Sequence, residues 1–327
     1  MIKLSVIIPT RGRASLLSRC FDSILNQSFP QDNFEVIVID NGSEDSTAEV
    51  CKSYAEKFVN FKYLYDDRPG LHVGRHLGMK NARADILVYA DDDIRAFPSW
   101  LESIDESFRN EKTVLVGGKC LPEFETQPPK WFEYLWERNE YGKFIGHYSV
   151  LDFGDEIKEI SPHFVWGCNF SIRKQILIEA KGFHPDKMPD GLIKLRGDGE
   201  TAVSDYIQAR KFFTVYNPKA SIYHLVPAER LSLEYLYERN FAQGVSNSYS
   251  DIRKSGGAVK SSAAKYFKAF KSRVKIIIKS IFMNRNILEP QKVIEKGNLD
   301  GYYFHQAEAA GDKLLLEWIL KQDYFND

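Results

Sequence analysis

The sequence predicts an α/β fold with a mostly parallel central sheet and a helical C-terminal extension. Three observations carry this expectation. Apolar strands alternate with amphipathic helices over residues 4–90, two of those strands end in aspartates, and the chain becomes helical and basic after Pro227. Strand–helix alternation builds a parallel sheet covered by helices on both faces, with ligands beyond the carboxyl ends of the strands.

The elements follow in order. Leu4-Ser5-Val6-Ile7-Ile8 is a buried strand ended by Pro9, and Leu16, Leu17, Cys20, Phe21, Ile24 and Leu25 then share one helical face. Phe34 to Ile39 is a second strand ending at Asp40. After it Asn41-Gly42-Ser43 turns the chain into a helix carrying Glu44 and Asp45 in its first turn, where the macrodipole favours acids. Phe61 to Tyr65 is a third strand, Val73 to Ala82 a third helix, and Asp85 to Ala90 a fourth strand that runs straight into Asp91-Asp92-Asp93. Three adjacent carboxylates repel one another. By itself such a tract is more often a solvated acidic turn. A divalent cation would supply the opposing charge, and carboxylate oxygens suit Mg2+ or Mn2+, which commonly also hold substrate phosphates. Asp40, at the end of another strand of the same alternation, makes a nucleotide site the stronger reading.

Composition bounds the function. A chain of 327 residues, 43% hydrophobic and 13% aromatic, can bury a substantial core as one large domain or a domain with an extension. Net charge is -1, so no global field calls for a nucleic-acid partner. The four cysteines, Cys20, Cys51, Cys120 and Cys168, are scattered without metal or disulfide spacing and read as free thiols in a reducing compartment. The apolar run Leu4 to Pro9 is too short for a signal-peptide core or a membrane span, so a cytoplasmic location is expected.

A family resemblance rests on ordered motifs: Ser5-Val6-Ile7-Ile8-Pro9-Thr10-Arg11-Gly12-Arg13, Val38-Ile39-Asp40-Asn41-Gly42-Ser43, Gly74-Arg75-His76-Leu77-Gly78 and Asp91-Asp92-Asp93. Together they resemble family 2 glycosyltransferases with the GT-A fold. The resemblance implies that Pro9, Thr10, Arg11 and Asp40 hold the base and ribose of a nucleotide-diphosphate sugar. It places Arg75, Asp91 and Asp92 near that nucleotide and gives Asp91 and Asp93 a Mn2+ or Mg2+ ion. His76 departs from the family's usual asparagine, and without its motif Arg75 would pass for a surface arginine. Trp166 to Lys174 resembles the small-residue strand flooring the donor-sugar and acceptor pocket. Tyr216-Asn217-Pro218-Lys219-Ala220-Ser221-Ile222-Tyr223-His224 resembles a segment whose histidine, His224 here, often completes the metal site.

The family's acidic pair, one member of which acts as base, reads Arg196-Gly197-Asp198-Gly199-Glu200-Thr201, with a glycine between the acids. Thr201 favours Glu200 as the base, with Asp198 orienting it or binding acceptor hydroxyls. The residues alone allow both acids merely to cap a helix over Glu200 to Lys211. The resemblance spans roughly Lys3 to Gly244. It implies a catalytic domain over 1–226, with a nucleotide-binding half 1–120 and an acceptor half 121–226, followed by the extension 227–327.

The chemistry can be stated on general grounds. Glycosyl transfer from a nucleotide diphosphate leaves charge on the departing phosphate for a metal to stabilise, and one carboxylate base without a second nucleophilic carboxylate implies inversion. A UDP-sugar donor and a saccharide or lipid-linked acceptor are expected. A sugar-phosphate nucleotidyltransferase is the alternative enzyme, although Thr10-Arg11-Gly12-Arg13 lacks the glycine-rich, lysine-bearing loop it needs. A non-catalytic, membrane-bound sugar-nucleotide-binding protein is the alternative outside catalysis. Residues 252–288 hold ten lysines and arginines and no acid, with Lys265, Lys268, Lys271 and Lys275 interleaved among Tyr266, Phe267, Phe270 and Val274. Two readings stand: a helix on an anionic membrane at the inner leaflet, or a docked helix with solvated lysines. Ala307 to Leu320 reads as one further amphipathic helix.

Overall fold

The computed structural model describes residues 1–260 and 285–325. The first half is the expected alternation: β1 (Leu4–Thr10), α1 (Ala14–Leu25), β2 (Phe34–Asp40), α2 (Thr47–Ala55), β3 (Phe61–Tyr65), α3 (Leu71–Asn81) and β4 (Ile86–Ala90). β1 pairs in parallel with β2 on one side and β4 on the other, and β3 continues beyond β2. Right-handed crossovers place α1 and α2 on one face and α3 on the opposite one, because the chain reverses its direction across the sheet at β4. Every residue of β1, β2 and β4 is buried, which is why they read as nearly continuous apolar runs. α3 lies close on the sheet because Gly78 has no side chain: a Cβ there would stand 2.3 Å from Ile7 Cγ2.

The chain continues through β5 (Ile94–Ala96), α4 (Trp100–Phe108), β6 (Thr113–Gly117), β7 (Cys120–Phe124), β8 (Glu137–Arg138), β9 (Lys143–Ile145), β10 (Val150–Asp152) and β11 (Lys158–Glu159). It then forms β12 (Asn169–Arg173), α5 (Lys174–Glu179), α6 (Thr201–Ala209), β13 (Phe213–Tyr216) and β14 (Ile222–Val226). The large sheet has eight strands in the order β11-β13-β6-β12-β4-β1-β2-β3. β12 is antiparallel to both β4 and β6, β11 is antiparallel to β13, and the other six strands share one direction. A second sheet, β5-β14-β7-β10-β9-β8, was not legible in the sequence: its strands are short, and β14 meets partners distant along the chain in β5 and β7.

The C-terminal region is helical, with α7 (Leu233–Lys254), α8 (Arg285–Gly311) and α9 (Lys313–Leu320). α7 and α8 pack against each other. A cluster including Phe132, Ile145, Val226 and Leu236 joins α7 to the small sheet, and another including Tyr249, Leu315, Ile319 and Tyr324 joins it to the chain end. His76 explains part of this docking. Its Nδ1–H donates to the Tyr324 carbonyl at 3.1 Å while its Nε2 accepts the Phe183 N–H at 2.9 Å, so burial holds it neutral, its pKa pushed down to about 3.

Two local expectations need correction. Glu44 and Asp45 precede α2 instead of lying in its first turn; the Asp45 carboxylate accepts the Thr47 hydroxyl at 2.5 Å and the Ala14 N–H at 3.0 Å, starting one helix and bracing another. Ala307 to Leu320 is also not one helix, because Asp312 breaks it and its side chain caps α9 by accepting the Leu315 N–H at 3.1 Å. The basic segment 252–288, with its proposed anionic membrane contact, falls largely on residues 261–284, outside the described residues. Among the described residues no helix is long and apolar enough to cross a membrane.

Candidate active site

The site forms where β1 and β4 end side by side. Thr10, the last residue of β1, donates its hydroxyl to Asp92 Oδ2 at 2.7 Å. Arg13 Nη1 bridges Asp92 Oδ1 and Asp93 Oδ2, both at 3.0 Å. Lys187 Nζ reaches Asp91 Oδ2 at 3.0 Å and Arg230 Nη2 reaches Asp93 Oδ2 at 3.2 Å. Burial opposes ionisation of all three aspartates. Lys187 nevertheless holds Asp91 below the ordinary carboxylate range, and His224 with the nearby cations holds Asp93 far below it. For Asp92 burial outweighs Arg13, and its pKa is raised.

His224 arrives from the second sheet, where it pairs with Ile94 immediately after the triple aspartate. Its Nδ1–H donates to the Tyr148 carbonyl at 3.0 Å, which turns Nε2 toward Asp93 Oδ1 at 3.3 Å. Burial alone would lower the imidazole pKa, but Asp93 pushes it up to about 9. The contact is at ion-pair distance but misaligned, leaving Asp93 Oδ1 buried without a hydrogen-bond partner. Asp91, Asp93 and His224 each present a ligand atom, all within 4.8 Å of one another. Two carboxylates and an imidazole oriented through its other nitrogen form a donor set suited to Mn2+ or Mg2+, and the unpartnered Asp93 oxygen fits that use.

Across the cleft lies Glu200. Its Oε1 accepts the Gly167 N–H at 3.1 Å and its Oε2 faces Arg75 Nη1 at 3.4 Å. Arg75 is almost fully buried, and its other terminal nitrogen stands 3.9 Å from Asp91 Oδ1. It fits only because residue 167 is glycine: a Cβ there would stand 2.0 Å from Arg75 Nη2. Asp198 is differently placed. One oxygen contacts His184 Nδ1 and the other accepts the Ser250 hydroxyl, both at 2.6 Å. Neither acid caps α6 with its side chain, so the purely helix-capping reading does not describe them.

Pro9, Thr10, Arg11, Asn41, Asp91 and Asp92 line a groove beside these carboxylates. Asp40 lies below it, buried, with Oδ1 accepting the Ser43 N–H at 2.8 Å and Oδ2 the Tyr63 hydroxyl at 2.7 Å. Lys187 carries no sequence signal. Arg13 lies inside the first motif and Arg230 shortly after Pro227, neither with an assigned role.

Comparisons with known proteins bear on the family and the fold. The Glycosyl transferase family 2 model matches residues 5–180. Glucosyl-dolichyl phosphate glucuronosyltransferase of Haloferax volcanii is 23% identical over 257 residues, covering 77% of this chain and 78% of the relative. Two further curated glycosyltransferases match over 38% and 25% of their own lengths. Among solved structures, a mannosyltransferase from Pyrobaculum calidifontis in complex with GDP-Man and Mn2+ superposes with a TM-score of 0.56 at 16% identity, over 94% of this chain and 74% of that one. TarS 1-349 of S. aureus in complex with UDP-GlcNAc gives 0.52 at 15% identity, over 95% and 92%. The fold is GT-A, and the chain belongs to glycosyl transferase family 2 and is a glycosyltransferase.

Proposed function

We propose that the protein transfers a sugar, with inversion, from a nucleotide-diphosphate donor to a hydroxyl of a saccharide or lipid-linked acceptor. One observation carries the reading: a single buried guanidinium, Arg75, stands between Asp91 of the candidate metal trio and Glu200 on the opposite side of the cleft. That juxtaposition suits a departing diphosphate on one side and an attacking hydroxyl on the other. The groove from Pro9 to Asn41 would take the nucleoside, with Thr10 and Arg13 fixing Asp92 beneath it.

Asp91, Asp93 and His224 would hold Mn2+ or Mg2+, which when bound supplies Lewis-acid stabilisation of the departing diphosphate. Lys187, Arg13 and Arg230 add fixed positive charge on the same side. Glu200 would accept the proton of the acceptor hydroxyl. What favours it over Asp198 is position and looser engagement: Glu200 lines the cavity that also holds Asp91 and His224, which Asp198 does not, and its contacts with Gly167 and Arg75, at 3.1 and 3.4 Å, are longer than those of Asp198 with His184 and Ser250, both 2.6 Å. Asp198 then acts through the loop that carries Glu200. The neighbours' GDP-Man and UDP-GlcNAc support a nucleotide-sugar donor. UDP is our proposed nucleotide, and a glycan pathway at the cytoplasmic side the proposed setting.

The experiment is a panel of UDP- and GDP-sugars tested for thermal stabilisation with Mn2+, followed by nucleoside diphosphate release with and without acceptor. Metal-dependent stabilisation by one donor and acceptor-stimulated release are expected. Binding without release under any acceptor would favour the non-catalytic reading, and pyrophosphate release from a nucleoside triphosphate the nucleotidyltransferase.

A further inference from the structure

We propose that Arg239 anchors an oxyanion, phosphate or carboxylate, carried by the acceptor. This rests on the glycosyl-transfer reading of the same cleft. Three adjoining cavities meet at the proposed base. One reaches toward His163 and Trp166, one toward Asp91 and Arg230, and one toward Asp198 and Ser250; only Glu200 and Arg239 line all three. Arg239 belongs to a stripe of α7, with Tyr235 and Gln243 one turn away on either side, that faces this space.

The other cations of the cleft have acidic partners. Arg75 contacts Glu200 and Asp91, Lys187 contacts Asp91, Arg196 meets Asp186 at 2.7 Å and Arg230 meets Asp93 at 3.2 Å. Arg239 has no such partner among the described residues. Its one hydrogen bond runs from Nη1 to the neutral amide oxygen of Gln243 at 3.4 Å. Desolvation and then the neighbouring Arg196 lower its pKa by more than Tyr235, Asp186 and Glu200, none of them in ion-pair contact, raise it. His147, which shares two of the cavities, is held neutral by burial and then by Arg239, its pKa pushed down to about 4. A guanidinium presents a planar fork matched to the oxygens of phosphate or carboxylate, and a partly desolvated one gains most from such a ligand. Two of the three cavities lined by Arg239 and Glu200 contain neither Lys187 nor Asp91, whereas the donor diphosphate is assigned to the side of Lys187 and Arg13. The anion therefore belongs to the acceptor.

The test uses the full chain with Mn2+ and saturating UDP or, separately, GDP, titrated with methyl phosphate, acetate and farnesyl phosphate. Wild type, Arg239→Gln and Arg239→Lys are compared. At least one small anion should bind saturably at a single site, about tenfold more weakly in Arg239→Gln, as for loss of a charge-assisted hydrogen bond, and by an intermediate factor in Arg239→Lys. Nucleotide affinity should be the same in all three proteins. Methyl phosphate against acetate identifies the oxyanion, and extra affinity for farnesyl phosphate marks a lipid-borne phosphate rather than a sugar-borne one. Equal anion affinity in wild type and Arg239→Gln overturns the proposal; if that variant does not fold, unchanged affinity in Arg239→Lys overturns a bidentate site. Failure of wild type to bind any nucleotide with Mn2+ would count against the glycosyl-transfer reading, while the anion comparison would still decide the role of Arg239.

Discussion

The ends of β2 and β4 look alike in sequence and differ in the folded chain. Each is a buried apolar strand running into acid, and both flank β1 in one parallel sheet. At the end of β2 the Asp40 carboxylate is consumed locally: its own turn supplies the Ser43 N–H, and the adjacent β3 supplies the Tyr63 hydroxyl. At the end of β4 the partners come from afar, as Arg13, Arg75, Lys187, His224 and Arg230, and Asp93 Oδ1, at ion-pair distance from His224, still lacks an aligned hydrogen bond. An acid at a strand end is thus a candidate ligand when its own turn leaves it unsatisfied.

The sharpest way to break this contrast is Asp93→Ala. It should abolish turnover and metal-dependent nucleotide binding while leaving the circular dichroism spectrum intact, and wild type in excess chelator should fall to the same level. Full turnover in either case would remove the metal from the β4 end. Next, Glu200→Gln should slow the chemical step by roughly 10²–10⁴-fold with donor affinity nearly unchanged, because a base acts on the acceptor. If single-turnover kinetics show that loss for Asp198→Asn instead, the two acids exchange roles.

Asp40→Asn tests the other strand end. It should cost about 1–2 kcal/mol of stability through weakened bonds to Ser43 and Tyr63, and change kcat little. A loss of kcat as large as that of Asp93→Ala would erase the distinction between the two ends.

The last test, which leaves turnover aside, concerns the packing behind β4, where His76 clamps the chain end. Its pKa falls from 6.5 to about 3 on folding, chiefly by burial, so the native state binds fewer protons than the unfolded one. Its stabilisation is complete above pH 6.5 and is lost as pH falls from there toward 3. The loss per group approaches about 1.4 kcal/mol per pH unit within that window. Melting curves from pH 7 to 5 should show Tm falling in wild type and falling less in His76→Asn. Equal slopes would mean that His76 does not carry the acid sensitivity.

Much of this was legible beforehand. The apolar runs of β1, β2 and β4 announce buried strands, and Asp91 to Asp93 mark the strand end that matters. Each signal is local, because side-chain period, turn chemistry and backbone sterics act over a few residues. The choice between Glu200 and Asp198 was not legible, since it turns on whether His184 and Ser250 reach the second acid. Nor was Lys187, whose ammonium is placed by a loop with no repeating pattern.

The amino-acid sequence by itself determined the strand–helix alternation, the motif order and the acids at the strand ends, for these follow from hydrophobic period and chain direction. Only the tertiary structure decided which acids stay unsatisfied and what faces them. The pairing of β5 with β14 carries His224 to Asp93, and the packing of α7 carries Arg239 to Glu200. Such meetings depend on register and helix packing between segments distant along the chain, and hydrophobic burial fixes those contacts collectively rather than through any local pattern.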